Sequence, residues 1–462
     1  MRFAPREGEV GDPIPFFWKG EYHLFYLKPR GPLGDRYPWS HAVSTDLIHW
    51  EELPDALTPG EHGAPDSGGC WTGSVIAAEG KFHIFYTGWN PGHPTPQTIC
   101  HATSEDLVSW TKDRGNPLLG PDASLYATAD WRDPFVFWNA EEQCYWMLIT
   151  AKLAERKGRR AQGCLAVAQS ADLSFWQVCP PLWLFNRPHP PECPDLFRKD
   201  GRWALVFSDL WTTHRTADNL LGPWRRSEEP ELDDCGFYAA KTFHAGERNL
   251  LVGWVASHQG GGDGGGRLWG GALSLPRELR LDEQGAMCVS PAAEVMGKLA
   301  PLARPRLADL CPAMGEWQAK GTQATALADE GDCLAVLGEM PDDYAVELNL
   351  RLSKGARAGI VARLSEGGDK GYMVTLDHSR GRLAFSRWEN WREGRPLYER
   401  PLHIAAGRAH HCCVFVEGTV LEAFVDGRTA LSARIYDFAG GGLGLYATGG
   451  RATFSKLRVS TW

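Results

Sequence analysis

Two aspartates stand before proline at the start of aromatic-rich stretches, Asp12 in "GDPIP" and Asp133 in "RDPFVFW", and Glu192 opens the similar "ECPDLF". A single Asp-Pro is an ordinary turn opener. Three acidic openings that a fold gathers into one cavity are a different matter. They repel one another, raise at least one pKa and cost stability unless chemistry requires them. Carboxyl groups held at different pKa values suit the cleavage of a glycosidic bond, one as general acid and another as nucleophile.

The elements around these residues repeat. "HAVSTDLIHW" (41–50), "HATSEDLVSW" (101–110), "AVAQSADLSFW" (166–176) and the looser "RTADNLLGPW" (215–224) each run through an Asp-Leu or Asn-Leu turn to a closing tryptophan. A second element precedes them and recurs once more: "YHLFYL" (22–27), "FHIFYTG" (82–88), "YWMLIT" (145–150), "WALVFSD" (203–209) and "NLLVGWVA" (249–256). These short aromatic and β-branched runs, bounded by turn residues, read as strands. A third strand and turn lies ahead of each, and three of the five openings are those of Asp12, Asp133 and Glu192. Five copies of a multi-stranded unit predict a five-bladed β-propeller. The start of each innermost strand borders the central channel, so the repeat predicts that the three acids meet there in register. No stretch before residue 290 keeps a helical period over 10 to 12 residues, which excludes a doubly wound fold. The glycine run "GGGDGGGRLWGG" (260–271) lacks the strand-then-helix setting of a phosphate loop and reads as a flexible loop over one face.

After residue 290 the texture changes. Residues 291–310 suit a short helix and a linker. From residue 316 period-2 stretches such as "YAVELNLRL" and "GYMVTLDH", separated by Gly and Asp turns, predict a β-sandwich. The expected organisation is a propeller over 1–295, a linker over 296–315 and a sandwich over 316–462. Trp388, Trp391 and Tyr398 are candidate sugar contacts of the sandwich, with support of the propeller as the preferred role.

With 48 Lys and Arg against 57 Asp and Glu, a net charge of −9, the chain has no basic surface for nucleic acid. It has no apolar run of membrane-spanning length. Its opening "MRFAPREGEVGDP" carries acids and prolines where a secretory leader needs an apolar stretch, so a cytoplasmic location is expected. The 12 cysteines show no CxxC pair and read as mostly buried thiols. Of the 20 tryptophans, mostly before residue 300, most read as core and some are expected to stack on sugars. Arg30, Arg36 and the basic loop at 156–162 read as solvated, with a phosphate on the substrate as the alternative.

"VGDPIPFFWKGEYHLFY", "WSHAVSTDLIHWEELPDAL", "CWTGSV", "WRDPFVFW", "ECPDLF", "CGFYAAKTF" and "WGGALSLPREL" together resemble glycoside hydrolase family 32, the invertase, fructanase and fructosyltransferase group. The ending "VLEAFVDGRTALSARIY" resembles that family's appended sandwich. The resemblance implies that Asp12 is the nucleophile forming a covalent glycosyl-enzyme. It implies that Glu192 is the acid/base, which needs a raised pKa, and that Asp133 holds ring hydroxyls and stabilises the oxocarbenium-like transition state. Arg132 pairs with the carboxylates. Trp39, Trp71 and Ser74 match positions lining the sugar pocket, and Asp234 and Tyr238 are placed at its far wall. Asp195 and His41 read as structural. The implied partner is a di- or oligosaccharide, with no metal or other cofactor.

The nucleophile motif departs from the family pattern. Where the family reads Asn-Asp-Pro-Asn-Gly, this chain has Gly11-Asp12-Pro13-Ile14-Pro15, and Leu27 stands where a glutamine usually follows the next strand. Those amides donate hydrogen bonds to the furanose, so either the ring bound there differs or other residues restore the contacts. Two further readings stay open: an inverting five-bladed propeller enzyme acting on arabinan or xylan, and a sugar-binding protein without turnover.

Overall fold

The computed structural model describes residues 1–31, 36–156 and 161–462. Most of the basic loop at 156–162 falls outside the described residues. The N-terminal part is a five-bladed propeller. Blade one comprises Pro13–Trp18, Glu21–Leu27, Trp39–Ser44 and Glu51–Leu57; blade two runs from Gly69–Ala78 to Thr111–Lys112; blade three runs from Tyr126–Asn139 to Gln177–Leu184. Each of these is an antiparallel four-stranded meander. Blade four has three strands, Glu192–Lys199, Arg202–Asp209 and Trp211–Ala217. Blade five starts at Phe237–Ala245 and Arg248–His258, against which both Arg267–Leu273 and Arg277–Leu281 pair. Closure is made by the N-terminal segment: Val10 and Gly271 exchange two backbone hydrogen bonds, of 2.9 and 2.8 Å, so the chain's start is tied to its last blade.

The Asp-Leu-x-x-Trp repeat has a local cause. In blade one Asp46 Oδ1 accepts the backbone N–H groups of Ile48 (3.0 Å) and His49 (2.8 Å), and the Trp50 indole donates to Leu47 O at 3.0 Å. Asp106 and Trp110 repeat this in blade two, and Asp172 and Trp176 in blade three. The side chain supplies the turn's acceptor, while Leu47, Leu107 and Leu173 take positive φ values of 65, 66 and 63°. His41, buried and stacked on Phe25, belongs to the core of blade one, where burial pushes its imidazole down to about 3.

The C-terminal part is a sandwich of two antiparallel sheets. The predicted linker is partly structured. Ala293–Gly297 is helical, Ala300–Pro301 pairs with the final strand Gly450–Thr461, and Cys311–Met314 forms the edge of the other sheet. No helix among the described residues is long and apolar enough to cross a membrane.

The two parts meet through buried charge. Arg277 is fully buried and bonds to Asp233 and Glu422 at 2.6 Å each, joining blade five to the sandwich. The glycine run, expected as a flexible loop, is anchored instead. Asp263 within it is buried and accepts hydrogen bonds from Tyr372 Oη and the backbone N–H of Tyr436, both at 2.7 Å. Trp388 is buried in the sandwich and Tyr398 faces His258 across the junction, so of the three candidate sugar contacts there only Trp391 is exposed.

Candidate active site

The innermost strands do not deliver their residues by simple alternation. In blades two to five the register slips at the same place: between Trp71 and Gly73, near Asp133, between Glu192 and Asp195, and between Tyr238 and Lys241. Each slip is a β-bulge, which lets two consecutive side chains face one way. Asp133, Cys193 and Ala239 take the left-handed conformation there, with φ of 55, 51 and 51°, a strain of the kind found at functional sites. In blade one, Gly11 N and Asp12 O both bond to Leu27, giving the same two-against-one arrangement.

The bulges define two concentric sets of positions. Asp12, Thr72, Asp133, Cys193 and Ala239 occupy the bulged position, and Gly11, Trp71, Arg132, Glu192 and Tyr238 precede it. The acids are therefore not all in register: Asp12 and Asp133 correspond, whereas Glu192 stands one residue earlier, where blade three has Arg132.

All members of these two sets except Gly11 and Ala239 line a cavity of about 280 Å³, completed by Leu27, Tyr37 and Trp269. At its floor Asp12 is buried. Its Oδ1 accepts from the Trp254 indole at 2.9 Å, and its Oδ2 accepts from Thr72 Oγ1 at 2.5 Å and from the Cys193 thiol at 3.6 Å. Burial pushes the Asp12 carboxyl up to about 6, against the hydrogen bonds from Thr72 and Trp254, and the charges of Asp133 and Glu192 push it further. Asp133 Oδ2 accepts from Cys193 N at 3.0 Å; burial raises this carboxyl too, while Arg132 opposes the rise. Glu192 is half-buried, its Oε1 held by Arg132 Nη2 at 2.8 Å and its Oε2 by the Tyr238 hydroxyl. Arg132 is bound in turn by Asp130 (2.9 Å) and Gln97 Oε1 (3.2 Å). Although burial works against its charge, Asp133 and Glu192 keep this guanidinium firmly protonated.

Of the ten predicted site residues, Asp12, Leu27, Trp71, Arg132, Asp133, Glu192 and Tyr238 line this cavity. Three lie elsewhere. Trp39 is wholly buried behind the wall, where its indole donates to Trp71 O at 3.0 Å. Ser74 is two residues below the bulge, accepts from Val136 N at 3.0 Å and lines a separate cavity. Asp234 faces the sandwich and accepts from Glu399 N at 3.0 Å. Asp195 is buried against Thr242 and His244 beneath the site.

Sequence reading missed Thr72, Cys193, Trp254, Tyr37, Trp269 and Gln97. Thr72 and Cys193 were findable, because they share the repeat position of Asp12 and Asp133; Trp254 sits on a neighbouring strand and carries no such signal. No amide side chain lines the cavity among the described residues. Gly11 leaves the room that the Trp269 indole fills, since a Cβ there would stand 2.5 Å from Trp269 Cη2.

Residues 2–291 match the glycosyl hydrolases family 32 N-terminal domain, and residues 316–461 match the family 32 C terminal. The chain belongs to glycosyl hydrolase family 32. It is a glycoside hydrolase. Sucrose-6-phosphate hydrolase of Zymomonas mobilis is 26% identical over 98% of this chain and 90% of its own length. The insoluble β-fructofuranosidase isoenzyme CWINV1 of Arabidopsis thaliana is 30% identical, over 64% of this chain and 56% of its own. Among solved structures, the exo-inulinase of Aspergillus awamori superposes with a TM-score of 0.74 at 21% identity, covering 99% of this chain and 96% of that one. Fructan 1-exohydrolase IIa of Cichorium intybus gives 0.71 at 19%, covering 99% and 96%. At these identities the solved structures bear on the fold: a five-bladed propeller with a C-terminal sandwich.

Proposed function

We propose that this hydrolase cleaves β-fructofuranosyl bonds of sucrose or short fructans with retention of configuration, using residues 1–295 for catalysis and 316–462 as their support. Asp12 attacks the anomeric carbon, and the bond to the leaving oxygen breaks as that oxygen takes the proton of Glu192. Glu192, now ionised, removes a proton from water, which displaces Asp12 and frees fructose. Asp133 holds ring hydroxyls and balances the positive charge that develops on the ring. Arg132, Tyr238 and Trp71 contact the sugar.

The observation that carries this reading is the meeting of Asp12, Asp133 and Glu192 in one cavity, with Asp12 at the closed floor and Glu192 nearer solvent. The deep placement of Asp12 suits attack on a ring carbon, and the more exposed Glu192 suits protonation of a leaving group. A relative that hydrolyses sucrose 6-phosphate and matches nearly end to end supports the substrate class. An NMR time course on sucrose, sucrose 6-phosphate, a short inulin and a β-2,6 fructan tests it, with Asp12→Asn as control. Fructose released first with retained configuration, by wild type alone, is expected. Inverted product would assign the arabinan-type mechanism, and binding without product would make the protein a sugar receptor.

A further inference from the structure

Two residues beyond the bulged position each inner strand contributes to a lower ring: Ile14, Ser74, Phe135, Asp195 and Lys241. All five line a second cavity, of about 480 Å³, on the far side of the hub from the catalytic pocket. Lys241 is the cation of this ring and is buried at 3% exposure. Its Nζ donates to the carbonyl oxygens of Gly73 and Pro194, at 3.1 Å each, and stands 5.3 Å from the centre of the Phe135 ring. Among the described residues it forms no ion pair. A buried ammonium held by neutral acceptors alone is costly, and apolar packing would fill the place more cheaply.

What it touches explains its presence. Gly73 directly follows Thr72, which donates to Asp12, and Pro194 directly follows Cys193, which donates to both Asp12 and Asp133. One ammonium from blade five therefore ties together the bulged segments of blades two and four. Charge points the same way. The catalytic cavity holds three carboxyl groups and a single guanidinium, and a second positive charge lies directly beneath.

We propose that Lys241 is a positioning residue of the catalytic hub, its ammonium fixing the segments that hold Asp12 and Asp133 and balancing the carboxylates from below. This rests on the reading that those two acids perform the chemistry. The groups facing Lys241 are Asp133 and Cys193 from above and Asp195, itself bonded to His244, from the side. Those facing Asp12 are Asp133, Glu192 and Cys193, and Arg132 and Tyr238 hold Glu192. Among the charged groups of this set Arg132 is the other cation that opposes protonation of Asp133, while Asp12 relies on the hydrogen bonds from Thr72 and Trp254.

The test compares Lys241→Met and Lys241→Gln with wild type in two readouts: the pH profile of kcat/KM on the substrate that wild type turns over, and the titration of 13C-labelled aspartate carboxyls. The Lys241 charge holds the Asp133 carboxyl down, and an opposite charge close to a carboxylate is worth about one pH unit or more. Both variants are therefore expected to move the acid limb upward by about one unit and to lower kcat at least tenfold, with KM within about threefold of wild type. The glutamine variant, which keeps a donor for one carbonyl, is expected to melt closer to wild type than the methionine variant.

An unmoved acid limb in whichever variant folds overturns the proposal. So does a lower Tm with unchanged kcat, or failure of both variants to fold, since each makes Lys241 purely structural. If wild type turned over none of the furanosides, the carboxyl titration would still answer for Lys241 while the proposed function fell on its own.

Discussion

Replacing Asp12 by Asn should inactivate the enzyme and stabilise it, and the size of the gain follows from the burial of this carboxyl. Its folded-state value is pushed up to about 6 from the ordinary 3.8. Folding therefore takes up a proton between those two values: the native state carries no penalty well below pH 4 and the full one above pH 6. At 1.36 kcal/mol per pH unit the penalty is about 3 kcal/mol near neutrality and about 0.5 kcal/mol at pH 4. Asparagine escapes it with the same shape. Its Oδ1 still accepts from the Trp254 indole, and its Nδ2 can donate to Thr72 Oγ1 once that hydroxyl turns around. Across the propeller, matched over residues 2–291, an unfolding entropy of about 2.1 cal/mol/K per residue converts 3 kcal/mol into about 5 °C. Scanning calorimetry of both proteins at pH 7.5 and pH 4, with sucrose hydrolysis followed in parallel, reads this out. The variant should melt about 5 °C higher at pH 7.5, lose most of that advantage at pH 4 and show no turnover. Equal melting at pH 7.5, or a gain that persists at pH 4, would refute the claim that this carboxylate is held in the site against its own desolvation.

The same value predicts that wild-type kcat/KM falls about tenfold per pH unit below about 6, because the nucleophile role proposed for Asp12 requires its carboxylate; a limb centred near 4 would contradict it. Glu192→Gln should cost about a thousandfold or more on sucrose and far less on a fructoside with an acidic leaving group, whose departure needs no proton, as steady-state rates on the two substrates would reveal. Asp234→Ala should leave KM unchanged and cost about 1–3 kcal/mol in urea unfolding, because it orphans the Glu399 N–H at the junction with the sandwich rather than a sugar contact. Arg277→Met should be harsher, about 3–5 kcal/mol, since it strands Asp233 and Glu422 without their shared cation.

The propeller, the sandwich and the three acids were legible because each leaves a repeated trace: an Asp-Leu turn closed by tryptophan, an aromatic strand, an acid before the inner strand. The bulges were not. A bulge changes which way residues face without changing which residues are present, so Glu192 looked aligned with Asp133 when it lies one place earlier, and Ser74 looked like a pocket residue when it lies below. Contacts between blades were equally silent. Trp254 reaches Asp12 from a strand 242 residues along the chain, and nothing near either residue announces the pairing. Asp234 misled for a related reason: it sits beside Tyr238 in sequence, but the turn between them points it at the sandwich.

The bulges also account for how binding can change while catalysis persists. Each inner strand offers the hub two consecutive side chains, and the two do different work. The bulged positions supply Asp12 and Asp133 with Thr72 and Cys193 as donors, joined on Asp12 by the Trp254 indole. The positions before the bulge supply Arg132, Trp71 and Tyr238. Gly11 belongs to this second set, and Leu27 opposes Gly11 and Asp12 from the next strand. In the proposed reading, losing an amide at either place therefore alters the wall offered to the sugar while leaving the hydrogen bonds to Asp12 from Thr72, Cys193 and Trp254 in place. On the same reading such a wall, with an indole filling the space beside Gly11, offers the sugar Arg132, Tyr238, the acids and the indole N–H of Trp71, which has no partner among the described residues, in place of amides.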